Sequence, residues 1–88
     1  MLVVAGKAMW INMKNYVEVT AVFDKEGIIT PIAVKMDDEK LEVDRVMDIR
    51  PAASLKSGGA GIRYTCRIEG RETYLFLEET RWFLELVE

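Results

Sequence analysis

The side chains best suited to chemistry in this sequence are arginines and aromatics of its second half. All six arginines lie between positions 45 and 81, whereas the basic residues before Asp44 are all lysines. The planar guanidinium of arginine binds carboxylates and phosphates through paired hydrogen bonds, and it stacks on aromatic rings. This half of the chain is therefore where a binding surface is expected. The competing interpretation is that the arginines are ordinary cross-strand partners on a solvated sheet face.

One predicted hairpin gathers several of these side chains. Apolar and polar residues alternate from Ile62 to Leu77, and Glu69-Gly70 in the middle suits a two-residue turn. The register that follows pairs Ile68 with Arg71, Cys66 with Thr73, Tyr64 with Leu75 and Ile62 with Leu77, which makes one face largely apolar. The opposite face would carry Arg67 across from Glu72, Thr65 across from Tyr74 and Arg63 across from Phe76.

The candidate binding residues are Arg50, Lys56, Arg63, Arg67, Tyr74 and Phe76. Arginines beside aromatics can hold the carboxylate of a peptide, so we predict a non-enzymatic module that recognises a protein segment through this face and the 50–61 loop. The alternative is RNA or single-stranded nucleic acid bound by the same arginines, although the net charge of −3 counts against it. Two purely structural interpretations also stand. Phe76 or Tyr74 packs beneath the long loop, or the face is a dimer contact.

Catalysis is not expected from these residues. The chain has no histidine and one cysteine, so the usual zinc ligands and a base for a thiol nucleophile are both missing. The alternation places Cys66 inward, where a cysteine behaves as a small apolar side chain. The glycine-rich run 57–61 lacks the Lys-Ser/Thr ending of a phosphate-binding loop. We therefore predict no enzyme activity, no metal and no cofactor.

Short alternating blocks must position these side chains. Tyr16–Phe23, Ile28–Met36, Leu41–Met47 and Trp82–Val87 flank the hairpin as further strands. We expect a small five-stranded antiparallel barrel of the SH3-like type, with an OB-like barrel or an open meander as alternatives. Pro31 predicts an edge or a bulge. An Asp38-Glu39 loop would pair Met36 with Leu41, Lys35 with Glu42 and Val34 with Val43, and that register fails by Arg45, where a bulge or strand end is expected.

Proline and glycine interrupt the pattern between the third and fourth strands. Residues 48–61 predict a long loop with one helical turn at Ala52–Lys56. We expect one domain over 14–88. The first 13 residues form an extension, either without fixed structure or as a short edge strand, and Met13-Lys14 looks like an alternative start. No run of residues is long and apolar enough to span a bilayer. The single cysteine favours the cytoplasm, and the oligomeric state stays open.

One stretch of the chain carries a resemblance. Residues Asp44–Ile68 (DRVMDIRPAASLKSGGAGIRYTCRI), followed by RETYLFLEETRWF, resemble a group of short uncharacterised proteins of Gram-positive bacteria. The similarity runs from Tyr16 to Phe83 and is most specific in Arg50–Tyr64. It implies an intracellular bacterial protein, and it contributes no activity, cofactor or catalytic residue.

Overall fold

Six antiparallel strands close into a small barrel. The computed structural model describes residues 16–54 and 59–87. The strands are β1 (Tyr16–Phe23), β2 (Ile29–Met36), β3 (Glu39–Ala53), β4 (Ala60–Ile68), β5 (Arg71–Glu78) and β6 (Arg81–Leu86). Each pairs with the next, and β6 returns to β1, where Phe83 lies opposite Tyr16 and Trp82 opposite Val17.

The predicted fold class is confirmed, and two details of it are corrected. The protein is an all-β closed antiparallel barrel of the small SH3- or OB-like kind. The open meander is wrong, and so is the count of five strands. Each alternating block is bounded by its own turn and forms a separate strand, and the sixth strand closes the barrel on β1. The predicted N-terminal extension, residues 1–13, lies outside the described residues.

A tight turn between β2 and β3 corrects the predicted register. Asp37 adopts a left-handed backbone conformation (φ 55°), which aspartate tolerates, so Asp37-Asp38 forms the turn. Met36 consequently lies opposite Glu39, and Val34 opposite Leu41. The predicted pairing was wrong by two positions. An even shift leaves every side chain on its predicted face, so the apolar face of these strands still points inward.

The two irregularities expected in the strands are both present. Thr20 lies opposite Ala33 and Ala21 opposite Pro31, so Ile32 is an extra residue in β2 beside the proline. On β3, the register against β4 shifts between Val43 and Arg45 and again between Val46 and Asp48. Bulges of this kind increase strand twist. They lie where β3 leaves β2, which it meets over residues 39–42, and joins β4.

The long loop predicted for residues 48–61 is mostly strand. β3 continues to Ala53 and β4 begins at Ala60, and Pro51 lies opposite Ile62. The helical turn is therefore wrong at Ala52 and Ala53, while residues 55–58 lie outside the described part of the chain. Proline is tolerated here because, among the described residues, this half of β3 pairs with β4 alone and forms an edge.

The predicted hairpin and its core face are confirmed in full. All seven pairs between β4 and β5 match, from Ile68 opposite Arg71 to Ile62 opposite Leu77. The barrel interior is built on Val34, Tyr64, Cys66, Ile68, Leu75 and Trp82. Burying a large apolar side chain contributes about 1.5–3 kcal/mol, so this cluster supplies much of the stability of a small barrel.

Candidate functional site

A row of side chains crosses the outside of the barrel. Its members are successive cross-strand partners on β1, β6, β5, β4 and β3, namely Tyr16, Phe83, Phe76, Arg63 and Arg50. We call them the outer row. They face away from the interior because their chain neighbours, such as Leu75 and Leu77 beside Phe76, pack into the core. The outer row thus has an aromatic end and an arginine end.

The aromatic end forms a second apolar cluster. The rings of Phe76 and Phe83 stack with centroids 4.8 Å apart and planes 4° from parallel. Tyr16 meets Phe83 edge-on at 6.1 Å, and Tyr74 meets Phe76 edge-on at 6.2 Å. Phe76 and Phe83 are each only 1% exposed. Edge-to-face and stacked ring pairs of this kind stabilise a fold beyond their buried area.

Burial of Phe76 corrects its predicted place among the accessible contacts. Ser54, which follows β3, reaches this face, since its buried hydroxyl donates a hydrogen bond to the Glu85 carboxylate of β6. Phe76 therefore packs against Phe83 and Tyr74, while the predicted packing beneath residues 55–58 lies outside the described residues. Tyr74, next to it, is half-buried and keeps part of its surface accessible.

Arg63 is the side chain of this face whose hydrogen bonding is incomplete. Its guanidinium carbon lies 4.6 Å from the centroid of the Tyr74 ring, within cation–π range. Its Nε atom is buried and has no hydrogen-bond partner among the described residues. A buried donor without an acceptor costs about 1–3 kcal/mol.

Arg50 lies opposite Arg63 and is held by a carboxylate of its own strand. Its Nε and Nη2 atoms donate to Asp48 at 2.7 and 3.1 Å. The hydrogen bond from Arg50 lowers the pKa of the Asp48 carboxyl, with smaller help from the charges of Arg50 and Arg63. The same hydrogen bond raises the pKa of Arg50. The two side chains project together because residues two apart in a strand share a face.

The structure brings together some of the predicted site residues and separates others. Arg50 lies opposite Arg63, Arg63 contacts Tyr74, and the buried Phe76 lies opposite Arg63 on β5. Arg67 lies about 13 Å further along β4 at the usual strand rise, where its Nη1 atom donates to the Gly70 carbonyl in the β4–β5 turn. Lys56 falls outside the described residues.

Sequence reasoning missed three residues at the aromatic end. The Arg81 guanidinium lies 4.0 Å from the centroid of the Tyr16 ring, and the Tyr16 hydroxyl donates to Glu78 at 2.7 Å. Only closure of the barrel brings these distant positions together, so no local pattern indicates the contact. The spacing of Asp48 and Arg50, by contrast, does indicate their contact, because residues two apart in a strand share a face.

Other chemistry finds little support in the described part of the chain. Cys66 is fully buried, and burial raises the pKa of its thiol to about 11. No group of three residues able to hold a metal ion occurs among residues 16–54 and 59–87. Within the same ranges there is no helix long and apolar enough to cross a membrane.

Comparison with known proteins gives no match, since no family model, no curated protein and no solved structure is similar to the chain.

Proposed function

We propose that this barrel is a non-enzymatic binding module that recognises an acidic protein segment through Arg63, Arg50 and Tyr74. The observation that carries the proposal is the Arg63 guanidinium held over the half-buried Tyr74 ring, with no ion pair to it among the described residues. A carboxylate can accept hydrogen bonds from arginine along the edge of the guanidinium while the flat face stays on the ring. The tyrosine would then hold the cation in position before the partner arrives.

Arg50 adds a second contact, for which its neighbour Asp48 competes with the partner. Asp48 occupies two donors of Arg50 in the unbound protein. An incoming carboxylate therefore competes with Asp48 for this arginine, which favours segments carrying more than one acid. Charge-assisted hydrogen bonds of this type are about twice as strong as neutral ones.

The same geometry gives less support to nucleic acid as the partner. Phe76 and Phe83 are buried and offer no face on which a base could stack. Arg50 is neutralised by Asp48, and Arg67 lies apart at a turn. The titration below therefore includes an RNA strand, so that nucleic-acid binding can be told apart from peptide binding.

We also propose that the module acts in the cytoplasm of a bacterium. The one cysteine is buried and has no partner in the chain for a disulfide, which fits a reducing cytoplasm. The resemblance to short proteins of Gram-positive bacteria adds an intracellular bacterial origin.

A titration followed by NMR tests the proposal. Isotope-labelled protein is mixed with a short polyglutamate peptide, and separately with oligouridylate, at low and moderate salt. We expect the peptide to shift the side-chain signal of Arg63 Nε and the amide signals of Arg50 and Tyr74. Loss of hydrogen bonds to a charged group costs about 1.5–3 kcal/mol, so Arg63→Gln should weaken binding by about tenfold or more.

Two further variants sharpen the result. Asp48→Asn should strengthen peptide binding because it releases Arg50 from its internal partner. Arg71→Gln is the matched control, since Arg71 is exposed at the start of β5 and lies outside the outer row. Equal losses in Arg63→Gln and Arg71→Gln would show non-specific charge attraction. A response to oligouridylate alone would replace the peptide by nucleic acid.

A further inference from the structure

One edge of β1 has no strand beside it for most of its length. Tyr16 and Val17 pair with β6, which begins only at Arg81. From Glu18 to Phe23, β1 pairs with β2 on one side, and among the described residues no strand covers the other side. Such an edge presents unpaired backbone N–H and C=O groups, which can continue a sheet with another strand.

A groove of about 550 Å³ runs along this open edge. Val17, Val19 and Ala21 line it from β1, and Arg81 and Trp82 line it from β6. Phe23 at its far end is 71% exposed. The groove thus combines an unpaired backbone with a largely apolar wall, which is the combination used by domains that bind peptides as an added strand.

The edge lacks the usual protection against strand addition. Protected edges carry lysines, prolines or bulges of their own. The open segment of β1 holds no proline and one charged residue, Glu18. The extra residue of the nearby bulge belongs to β2, so it leaves the open side of β1 regular.

We infer that this edge binds an extended protein segment as an additional β-strand. The inferred segment has alternating apolar side chains and an acidic residue at the end that meets Arg81. Charge complementarity sets that end, because Arg81 is exposed and makes no ion pair within the described ranges. The Tyr16 ring fixes its guanidinium at 4.0 Å from one side. Glu18 lines the same groove without pairing to Arg81.

The inference concerns a surface other than the one used by the proposed function. Arg63 and Arg50 lie at the opposite end of the outer row, three and four strands away from β1 along the β6 side. Either surface can therefore fail its test while the other passes.

A pair of synthetic peptides tests strand addition directly. The first alternates valine and threonine and carries a glutamate at one end. The second has the same sequence with its alternate backbone amides N-methylated, which removes the donors of a ladder. We expect the first peptide to shift the amide signals of Glu18–Phe23 and to slow their hydrogen exchange. The N-methylated peptide should leave both unchanged.

A charge exchange tests the role of Arg81. Arg81→Glu should weaken the glutamate peptide by about tenfold, since an ion pair is replaced by a like-charge contact. The same variant should strengthen a version of the peptide ending in lysine. Arg71→Glu is the matched control and should change neither. If Arg81→Glu fails to fold, the N-methylated peptide still decides the inference in the unmodified protein.

Three results would overturn the inference. Unchanged β1 amides at millimolar peptide would show that the edge does not accept a strand. Shifts at Arg63 and Tyr74 alone would place the peptide on the arginine end of the outer row, in agreement with the proposed function. Protection of Glu18–Phe23 that rises with protein concentration, without peptide, would make a second copy of the chain the occupant.

Discussion

Stacking of Phe76 on Phe83 gives a measurable test of the second apolar cluster. Both rings are 1% exposed, and they lie parallel at 4.8 Å on neighbouring strands. Replacing each phenylalanine by leucine keeps most of the apolar volume and removes the ring. A cycle of Phe76→Leu, Phe83→Leu and the double variant therefore isolates the interaction between the rings.

The expected coupling follows from the geometry. Aromatic pairs contribute about 0.5–1.5 kcal/mol beyond the area that they bury. We expect a value near the middle of that range, about 1 kcal/mol, because the rings are both buried and well stacked. Each single substitution should also lower the free energy of unfolding, since the substituted leucine does not reproduce the shape of the ring. Urea unfolding followed by tryptophan fluorescence measures all four proteins.

Additivity of the two substitutions would refute this description of the outer face. Sites that do not interact add within about 0.3–0.5 kcal/mol, so a coupling below that range would mean that the rings do not pack as described. Small losses of stability together with a loss of peptide binding in Phe76→Leu would restore Phe76 to the binding surface. Phe76 would then be a contact residue, as its place on the hairpin had predicted.

Three further predictions concern the barrel itself. Leu75→Ala should lower the free energy of unfolding by about 2–5 kcal/mol, as measured by urea unfolding, because Leu75 is fully buried; Val22→Ala, at a half-exposed position, is the control and should cost much less. Between pH 9 and pH 11 the unfolded state loses the Cys66 proton while the folded state keeps it, since the pKa rises from 9.0 to about 11 on folding. Stability present below pH 9 should therefore fall by up to about 1.4 kcal/mol per pH unit in this window, and Cys66→Ala should fall less steeply. Gly61→Ala should lower the melting temperature, because the added Cβ would overlap the backbone carbonyl oxygen of Leu77; an unchanged value would mean that the backbone there moves apart easily.

Local patterns were sufficient to predict the β4–β5 hairpin. Alternation and the Glu69-Gly70 turn set every pair between these strands, because a two-residue turn leaves no freedom of register. The β2–β3 turn was placed one residue late, since several acidic residues in a row suit more than one turn. Face assignment survived that error because the shift was even.

Long-range packing explains what the sequence pattern did not reveal. Pro51 and three nearby glycines predicted a loop, yet the open side of β3 lets the strand continue through the proline. Phe76 alternates as a solvated residue should, but it stacks on Phe83 of β6 and is only 1% exposed. The contact between Tyr16 and Arg81 depends on closure between the two ends of the barrel. In each case the decisive neighbour lies on another strand.

The two bulges of β3 set the phase of the strand. Asp44 and Met47 are the extra residues, and each one shifts everything after it by one position relative to β4. If the ladder kept these residues but ran without bulges, Asp48 would lie opposite Arg63. With only one bulge, Arg50 would face into the barrel. Deletion of Asp44 or Met47 would instead remove one bulge and keep every remaining pair, so Arg50 would still lie opposite Arg63. Deletion of both would leave a regular strand in which inward and outward residues alternate from Val43 to Arg50. This segment therefore tolerates the loss of an extra residue better than the regular pairing of one, which would exchange inside and outside over the rest of the strand.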